Sequence, residues 1–224
     1  MSSTYVCGKC SAHYNVADLA FCNACLEFNT ILPQSDRPRM WQGEQVVEAC
    51  SVYKAPTTTT LAPYDIRVGS SGVVTFFGPP GSGKSTGATK VADAFDGPVL
   101  YCSIEEGIGD SLRARLKRLE IHRKGLWFAS HMTLGGIDTQ IDAKEPGLVV
   151  IDSLSASVMT SDDILSLAHD KDVVVLAILQ VTKAGLPAGE NAILHDADVC
   201  VSFENLNWSL TKSRFQGTSA GGKV

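Results

Sequence analysis

The sequence has no apolar run that approaches the roughly 20 residues needed to cross a bilayer. Its first residues, MSSTY, lack the basic and apolar pattern of a secretory signal peptide. The net charge of −5 supplies no overall attraction to nucleic acid, so any such binding must come from local patches. There is no internal repeat. These absences favour a cytoplasmic protein without a membrane partner.

The strongest chemical signal is GPPGSGKST at residues 78–86, which matches G-x-x-x-x-G-K-[ST]. It follows the apolar run 73–77 and precedes a predicted helix. Glycines let backbone N–H groups converge on phosphate oxygens, and the helix aims its positive end at the same anion. A Gly-rich turn is the alternative, but the flanking elements favour nucleotide binding. The predicted ATP and Mg²⁺ ligands are Gly78, Pro79, Pro80, Gly81, Ser82, Gly83, Lys84, Ser85 and Thr86, with Asp152 from a later strand.

Three further apolar runs end abruptly in polar side chains. Continuous apolar strands that alternate with helical stretches predict a mostly parallel sheet with helices on both faces. Ligands of such sheets lie beyond the carboxyl ends of the strands. Each polar residue alone reads as the ordinary start of a loop, but together they predict one triphosphate site. The runs end in Glu105 and Glu106, in Asp152, and in Gln180.

Phosphoryl-transfer chemistry suggests a role for each of these residues. Lys84 would reach the β- and γ-phosphates, while Ser85 and the Walker B carboxylate Asp152 would hold Mg²⁺. Glu105 or Glu106 would orient the attacking water. Because adjacent side chains of an extended chain point in opposite directions, we expect only one to face the phosphate, and we favour Glu105. The predicted catalytic residues are Glu105, Glu106, Lys84 and Gln180, the last as a sensor of the γ-phosphate.

Four of the seven cysteines form a C-x2-C-x11-C-x2-C pattern near the amino end. Two thiolate pairs separated by one loop suit tetrahedral Zn²⁺, and in so short a segment the metal would supply most of the folding free energy. Two disulfides or a redox dithiol are the alternatives, which a cytosolic location disfavours. Cys102 and Cys200, inside apolar runs, are predicted core residues. The predicted zinc ligands are Cys7, Cys10, Cys22 and Cys25.

The chain divides into three predicted parts. Residues 1–30 form a zinc module, residues 31–69 form a linker or irregular approach segment, and residues 70–224 form the α/β core. The turn residues 205–207 predict a hairpin, so the sheet is expected to end in an antiparallel pair. Strands are predicted near 73–77, 98–103, 126–129, 148–151, 173–179, 198–203 and 207–212, and helices near 84–95, 110–120, 134–143, 161–169 and 189–195.

Several longer motifs occur in a recognisable order from Cys7 to Gly217. They are the cysteine quartet with EFNTI at 27–31, YCSIEE at 101–106, EPGLVVIDS at 145–153, VTKAG at 181–185, PAG at 187–189, LHDADV at 194–199 and KSRFQ at 212–216. In these motifs the chain resembles the bacterial DNA-repair RadA (Sms) family, which are RecA-like ATPases. Several motifs in one order are far more specific than a phosphate-binding loop alone.

This resemblance implies a RecA-like P-loop NTPase core preceded by a four-cysteine zinc finger. It implies a DNA-dependent ATPase that binds single-stranded or branched DNA, promotes strand exchange and branch migration, and forms a homo-oligomeric ring such as a hexamer. A recombinase or helicase is the implied protein partner. It also implies that Lys212 and Arg214 reach the γ-phosphate bound by a neighbouring subunit, although without it they would read as solvated charges. Lys183, in the loop after Gln180, is an implied DNA contact.

The sequence departs from the family pattern in three places. Gln216 replaces the final glycine of the last motif, and Gln180 stands where the family usually has histidine. No Lon-protease-like domain follows residue 224, where the family continues into one, so we expect a minimal version of the family.

A basic segment at residues 111–124 holds six Lys or Arg residues and one Glu, a local charge of +5. A helix this basic would track a DNA backbone, because each neutralised phosphate releases counterions. The more common alternative is a solvated helix face above buried leucines. The candidate DNA contacts on it are Arg113, Arg115 and Lys117.

Two other classes of function remain open. One is a KaiC-like or DnaB-like RecA-core ATPase that loads or regulates a protein partner. The other is a nucleotide-binding adaptor that hydrolyses little and uses ATP to hold a conformation. Stimulation of hydrolysis by single-stranded DNA separates the DNA-dependent ATPase from the first, and the effect of removing both glutamates separates it from the second.

Overall fold

The structure, a computed structural model, describes residues 58–130, 132–181 and 192–224, together with the backbone of three short strands nearer the amino end. The chain divides into two units, Met1–Thr57 and Thr58–Val224. In the first unit, β1 (Tyr5–Cys7), β2 (His13–Tyr14) and β3 (Ile31–Pro33) form an antiparallel sheet in the order β2-β1-β3.

The predicted zinc module belongs to this first unit, and the side chains of its four cysteines lie outside the described residues. Among the residues that the structure does describe, no cluster of three or more His, Cys, Asp or Glu side chains is arranged to hold a metal ion. The zinc site and its boundary at residue 30 therefore stay predictions.

The second unit alternates strands with helices along the described chain. Its strands are β4 (Thr58–Leu61), β5 (Ile66–Gly69), β6 (Val73–Gly78), β7 (Val99–Ser103), β8 (Leu126–Ser130), β9 (Leu148–Asp152), β10 (Val174–Gln180), β11 (Val199–Glu204), β12 (Asn207–Ser213) and β13 (Gly221–Lys223). Its helices are α1 (Lys84–Ala94), α2 (Asp110–Arg118), α3 (Leu134–Lys144), α4 (Ser161–Asp170) and α5 (Ala192–Asp196), with a short 3-10 helix at Leu154–Ala156.

Eight of these strands form one sheet in the order β13-β12-β11-β6-β10-β9-β7-β8. The strands from β11 to β8 run parallel, whereas β12 and β13 continue the sheet in antiparallel fashion. The predicted class, an α/β protein with a mostly parallel sheet and an antiparallel end, is confirmed. The predicted strands and helices from residue 73 onward are present, with ends shifted by a few residues.

Helices cover both faces of this sheet, so the central strands are apolar on both sides. Alternate residues of β10 belong to opposite cores: Leu176 and Ile178 face α1, while Val175 and Ala177 face α3 and α4. Cys102 and Cys200 are buried free thiols, as predicted. None of the helices described here is long and apolar enough to cross a membrane.

The prediction that residues 58–69 belong to the linker is wrong, because they form the β4–β5 hairpin of the second unit. The side chains of Leu61, Ile66 and Val68 are fully buried in the same core as α1. The Tyr64 ring packs 4.9 Å from that of Trp208, centroid to centroid. The threonine run and nearby prolines indicated an irregular segment, whereas burial of alternate apolar side chains makes a strand pair here.

The Arg123 side chain caps the carboxyl end of α1, whose last turn carries no basic residue of its own. Its Nη1 donates to the carbonyls of Ala92, Asp93 and Phe95 at 3.0, 2.9 and 2.5 Å, and its Nη2 donates to that of Gly97 at 2.5 Å. The last carbonyls of a helix lack partners within it and carry partial negative charge. One guanidinium therefore satisfies several of these acceptors at once.

We expect Arg123→Lys to lower the free energy of unfolding by about 1.5–3 kcal/mol, because a single ammonium cannot reproduce the guanidinium fork. Urea denaturation measures the change. Lys124→Ala, at the exposed neighbouring position, is the control and should stay within about 0.5 kcal/mol. An equally small effect for Arg123→Lys would mean that water serves these carbonyls as well.

Candidate functional site

The end of β6 and the residues after it form a tight loop in which two positions accept only glycine. Gly78 has φ +154°, and a Cβ there would lie 2.1 Å from the carbonyl oxygen of Phe203. Gly83 has φ +103° and is the N-cap of α1. The motif therefore forms the strand, loop and helix arrangement that the sequence predicted.

Lys84, the first residue of α1, lies buried over this loop with a side chain that turns back to it. Its Nζ donates to the carbonyl oxygens of Gly78 at 2.8 Å and Pro79 at 2.7 Å. Burial lowers the pKa of Lys84, while the nearby charges of Asp152 and Glu105 act to raise it. The ammonium is thus held in place between the loop and two carboxylates.

Asp152 ends β9 with a buried carboxylate that is surrounded by donors. It accepts hydrogen bonds from Ser85 Oγ at 3.2 Å and from the Tyr101 hydroxyl at 2.7 Å, and Arg115 Nη2 lies 3.9 Å away. Burial raises the pKa of Asp152 and the Glu106 charge adds to this, whereas these three donors oppose it. A carboxylate beside a hydroxyl at a helix start is a pair of hard oxygen ligands.

Glu105 reaches the same region from the end of β7. Both of its carboxylate oxygens accept from Gln180 Nε2, at 2.7 and 2.8 Å, and Oε2 also accepts from Ser153 Oγ at 2.9 Å. Gln180 lies at the end of β10, beside Gly78 in the register of the sheet. Neutral hydrogen-bond donors thus orient Glu105.

Glu106 also lines the site, although we expected only one of the two glutamates to do so. That expectation assumed an extended chain, whereas β7 ends at Ser103 and the backbone bends at both glutamates. Glu106 pairs with the Arg115 guanidinium and accepts from Ser111 Oγ at 2.8 Å. The two neighbours therefore share a cavity but have different partners.

Six of the polar side chains predicted for the site line a cavity of about 170 Å³. They lie at or beyond the carboxyl ends of four strands that are immediate neighbours in the sheet, in the order β6, β10, β9, β7. A second cavity of about 290 Å³ adjoins the loop and is lined in part by Thr86, Arg118 and Leu206. The first cavity is lined by Pro80, Gly81, Lys84, Ser85, Glu105, Glu106, Asp152, Ile178 and Gln180.

Lys212 and Arg214 lie elsewhere, against the carboxyl end of α5. Lys212 Nζ donates to the carbonyl oxygens of Leu194, at 3.2 Å, and of His195. Arg214 Nη1 pairs with Asp198 Oδ1 at 3.0 Å. Cations at this end of a helix meet its partial negative charge.

These two cations are remote from the phosphate cavity of their own chain. Ser213, which lies between them, pairs with Val199, and Val199 pairs with Val74 near the start of β6. The loop begins at Gly78, about 13 Å further along the strand at 3.3 Å per residue. Lys212 and Arg214 therefore lie near the amino ends of the parallel strands, whereas the cavity lies at their carboxyl ends.

The candidate DNA contacts on α2 separate into two groups. Arg113 and Lys117 are exposed on the outer face. Arg115 is buried and points inward to Glu106, so its guanidinium is not presented to a nucleic-acid backbone, and the prediction does not hold for this residue. The sequence indicated a basic face but not that one of its arginines turns under the helix. Lys183 lies outside the described residues.

Tyr101 and Ser153 are partners of the site that the sequence analysis missed. Tyr101 stands inside an apolar run, where an aromatic residue reads as core, and Ser153 reads as the ordinary start of a loop. The only signal for either is position: Ser153 follows Asp152, and Tyr101 lies two residues before the end of the neighbouring strand, where its hydroxyl reaches that carboxylate.

Fold and site together define an α/β protein of the P-loop class, with a mostly parallel sheet consistent with a RecA-like core. The chain is 27% identical to DNA repair protein RadA of Aquifex aeolicus over 96% of its own length, and 25% identical to that of Chlamydia trachomatis over 91%. It is 26% identical to RadA of Bacillus subtilis over 90%. The chain is thus related to the RadA family, as the motifs indicated.

The chain spans about half the length of the curated relatives it matches, with 56%, 51% and 52% of those three proteins covered. No family model matches the chain.

We expect Tyr101→Phe to lower the free energy of unfolding by about 1.5–3 kcal/mol, because it removes a hydrogen bond to a buried charged carboxylate. It should also lower the affinity for Mg²⁺ in the presence of nucleotide about tenfold, as loss of a hydrogen-bond partner of a metal ligand does at other sites. Urea denaturation and Mg²⁺ titration of nucleotide binding are the measurements.

Tyr64→Phe is the matched control. The Tyr64 hydroxyl is buried with no hydrogen-bond partner among the described residues, and burial raises its pKa to about 12. Removing an unsatisfied hydroxyl should be neutral or stabilising. Equal effects of the two substitutions would contradict the role of the Tyr101 hydrogen bond.

Proposed function

We propose that this chain binds ATP with Mg²⁺ and hydrolyses it, in the service of DNA repair or recombination. One observation carries the proposal: Lys84, Ser85 and Asp152 meet Glu105 and Gln180 around one cavity at the carboxyl ends of adjacent strands. A phosphate-binding loop, an acidic metal ligand and an oriented carboxylate are the parts that NTP hydrolysis requires.

The oxygen atoms of Ser85 and Asp152 fit Mg²⁺, because they are hard ligands that already lie 3.2 Å apart at the loop. Mg²⁺, when bound, would neutralise charge on the β- and γ-phosphates. The surrounding donors oppose the rise in the pKa of Asp152 that burial causes, and so favour the ionised form that a metal ligand requires.

The remaining steps belong to side chains of the chain itself. Lys84 would exchange the loop carbonyls for phosphate oxygens and keep its charge beside them. Glu105 would orient the attacking water and take its proton. Gln180 holds that carboxylate now, so it is placed to link the γ-phosphate to the loop that follows β10. The second cavity, beside Arg118 and Leu206, offers room for the nucleoside.

The proposed substrate beyond ATP is single-stranded or branched DNA, with strand exchange or branch migration as the outcome and the cytoplasm as the location. Support comes from the relatives, which are named as DNA repair proteins. Arg113 and Lys117, on the exposed face of α2, and Lys183 are the proposed DNA contacts. Zn²⁺ bound by Cys7, Cys10, Cys22 and Cys25 is part of the same proposal, on the spacing alone.

Lys212 and Arg214 are proposed to act on the nucleotide of a neighbouring subunit. Their position near the amino ends of the parallel strands, away from their own cavity, supports this, because only the site of another chain is then within reach. A cation supplied in trans would neutralise transition-state charge and make hydrolysis depend on assembly into a homo-oligomer.

We expect Glu105→Gln to lower the kcat of ATP hydrolysis about 100-fold or more with nucleotide binding retained, because a general base contributes about that factor. Glu145→Gln, at an exposed position before β9, is the matched control, and this variant should hydrolyse ATP at the wild-type rate.

Single-stranded DNA should raise the rate of ATP hydrolysis by the wild-type protein. Unchanged turnover in a Glu105→Gln, Glu106→Gln double variant would favour the adaptor, and stimulation by a protein partner alone would favour a loader.

The trans arrangement predicts that Arg214→Ala loses most hydrolysis and that mixing restores part of it. Subunits with Lys84→Ala cannot hold nucleotide but still offer Arg214 to a neighbour, so the mixture should exceed either variant alone. Size measurement with an ATP analogue and single-stranded DNA should show assembly. A monomer throughout, with no recovery on mixing, would make Lys212 and Arg214 surface residues.

A further inference from the structure

Glu105 and Glu106 line the same cavity, but their partners differ in charge. Both oxygens of Glu105 are held by neutral groups, the amide of Gln180 and the hydroxyl of Ser153. Glu106 is held instead by the Arg115 guanidinium on Oε1 and by the Ser111 hydroxyl on Oε2. Both of the latter partners belong to α2.

The Arg115–Glu106 pair is sheltered from water. The Arg115 side chain is 10% exposed and that of Glu106 is 25% exposed. Arg115 Nη2 also lies 3.9 Å from Asp152 Oδ2, so one guanidinium serves two carboxylates. Removing one partner of such a pair leaves an uncompensated charge in a poorly solvated place, which is far more costly than removing both.

Three carboxylates, from Glu105, Glu106 and Asp152, surround a cavity in which, among the residues that the structure describes, Lys84 is the cation that lines the wall. A polyphosphate brings several more negative charges to the same place. With Arg115 in position, the charge of Glu106 is neutralised from behind. Without Arg115, that charge would repel the phosphates through a partly dry medium.

We propose that Arg115 is a positioning residue that, with Ser111, clamps Glu106 to α2 and withdraws it from the reaction. Glu105 is then the carboxylate that orients water, and the pairing with Arg115 neutralises the Glu106 charge that would otherwise repel the phosphates. This inference rests on the proposed nucleotide site and assigns different tasks to two consecutive, chemically identical side chains.

The test is a suppression experiment on binding of ADP without Mg²⁺, which requires neither metal nor hydrolysis. Arg115→Gln should weaken ADP affinity about tenfold, because Glu106 is left unpaired beside the phosphates. Adding Glu106→Gln should return the affinity to within about threefold of that of Glu106→Gln alone. Arg115→Lys keeps the charge and should recover most of the affinity. Arg67→Gln, an exposed arginine on β5, is the matched control.

Hydrolysis supplies the second readout. Glu106→Gln should lower kcat less than about fivefold, against about 100-fold for Glu105→Gln. The Arg115→Gln, Glu106→Gln double variant should have a higher kcat per folded molecule than Arg115→Gln alone. Urea denaturation of both variants separates this from a purely structural role for Arg115, which would couple the two substitutions in the free energy of unfolding but not in the kcat of the folded protein. If Arg115→Gln does not fold, the double variant, with two amides of similar shape, and Arg115→Lys carry the comparison.

Equal kcat losses for Glu105→Gln and Glu106→Gln would overturn the inference, since both glutamates would then react. So would a double variant as weak in ADP binding as Arg115→Gln. Wild-type protein that binds ADP but does not hydrolyse ATP would refute the proposed function alone, because the suppression in ADP binding would still decide whether the clamp exists.

Discussion

Asp152 ends a fully buried strand, and a carboxylate in that position stays ionised only if donors and cations surround it. The hydroxyls of Ser85 and Tyr101 and the guanidinium of Arg115 meet this requirement, each from a different element. The arrangement of α1, β7 and α2 about the end of β9 is therefore tied to the electrostatics of one side chain.

The parallel sheet explains why these groups meet at all. Strands that are covered on both faces leave room for polar side chains only where the strands end, and the carboxyl ends of parallel strands lie on the same side of the sheet. Lys212 and Arg214 are separated from the site for the same reason, because β12 runs antiparallel and its carboxyl end lies beside the amino ends of the parallel strands. Strand direction thus separates the groups that line the chain's own cavity from Lys212 and Arg214.

Much of this was readable in the sequence, and the failures have physical causes. Lys84 lies in the phosphate-binding motif, and Asp152 and Gln180 follow apolar runs, a local pattern that indicates strand ends. The β4–β5 hairpin was missed because its burial depends on contacts with Phe76, Phe203 and Trp208, which are distant in sequence. The inward turn of Arg115 was missed because an amphipathic basic helix gives no sign of which cation meets a buried carboxylate.

Local pattern alone determined the phosphate-binding loop, the order of strands and helices from β6 to β12, and the set of polar residues at strand ends, because backbone geometry and apolar periodicity are properties of short segments. Tertiary structure alone decided the order of strands across the sheet and hence which residues became partners. Tyr101 and Asp152, or Glu105 and Gln180, lie far apart in the chain. The pairing of β7 with β9 brings the first pair within hydrogen-bonding distance, and the common pairing of β7 and β10 with β9 brings the second.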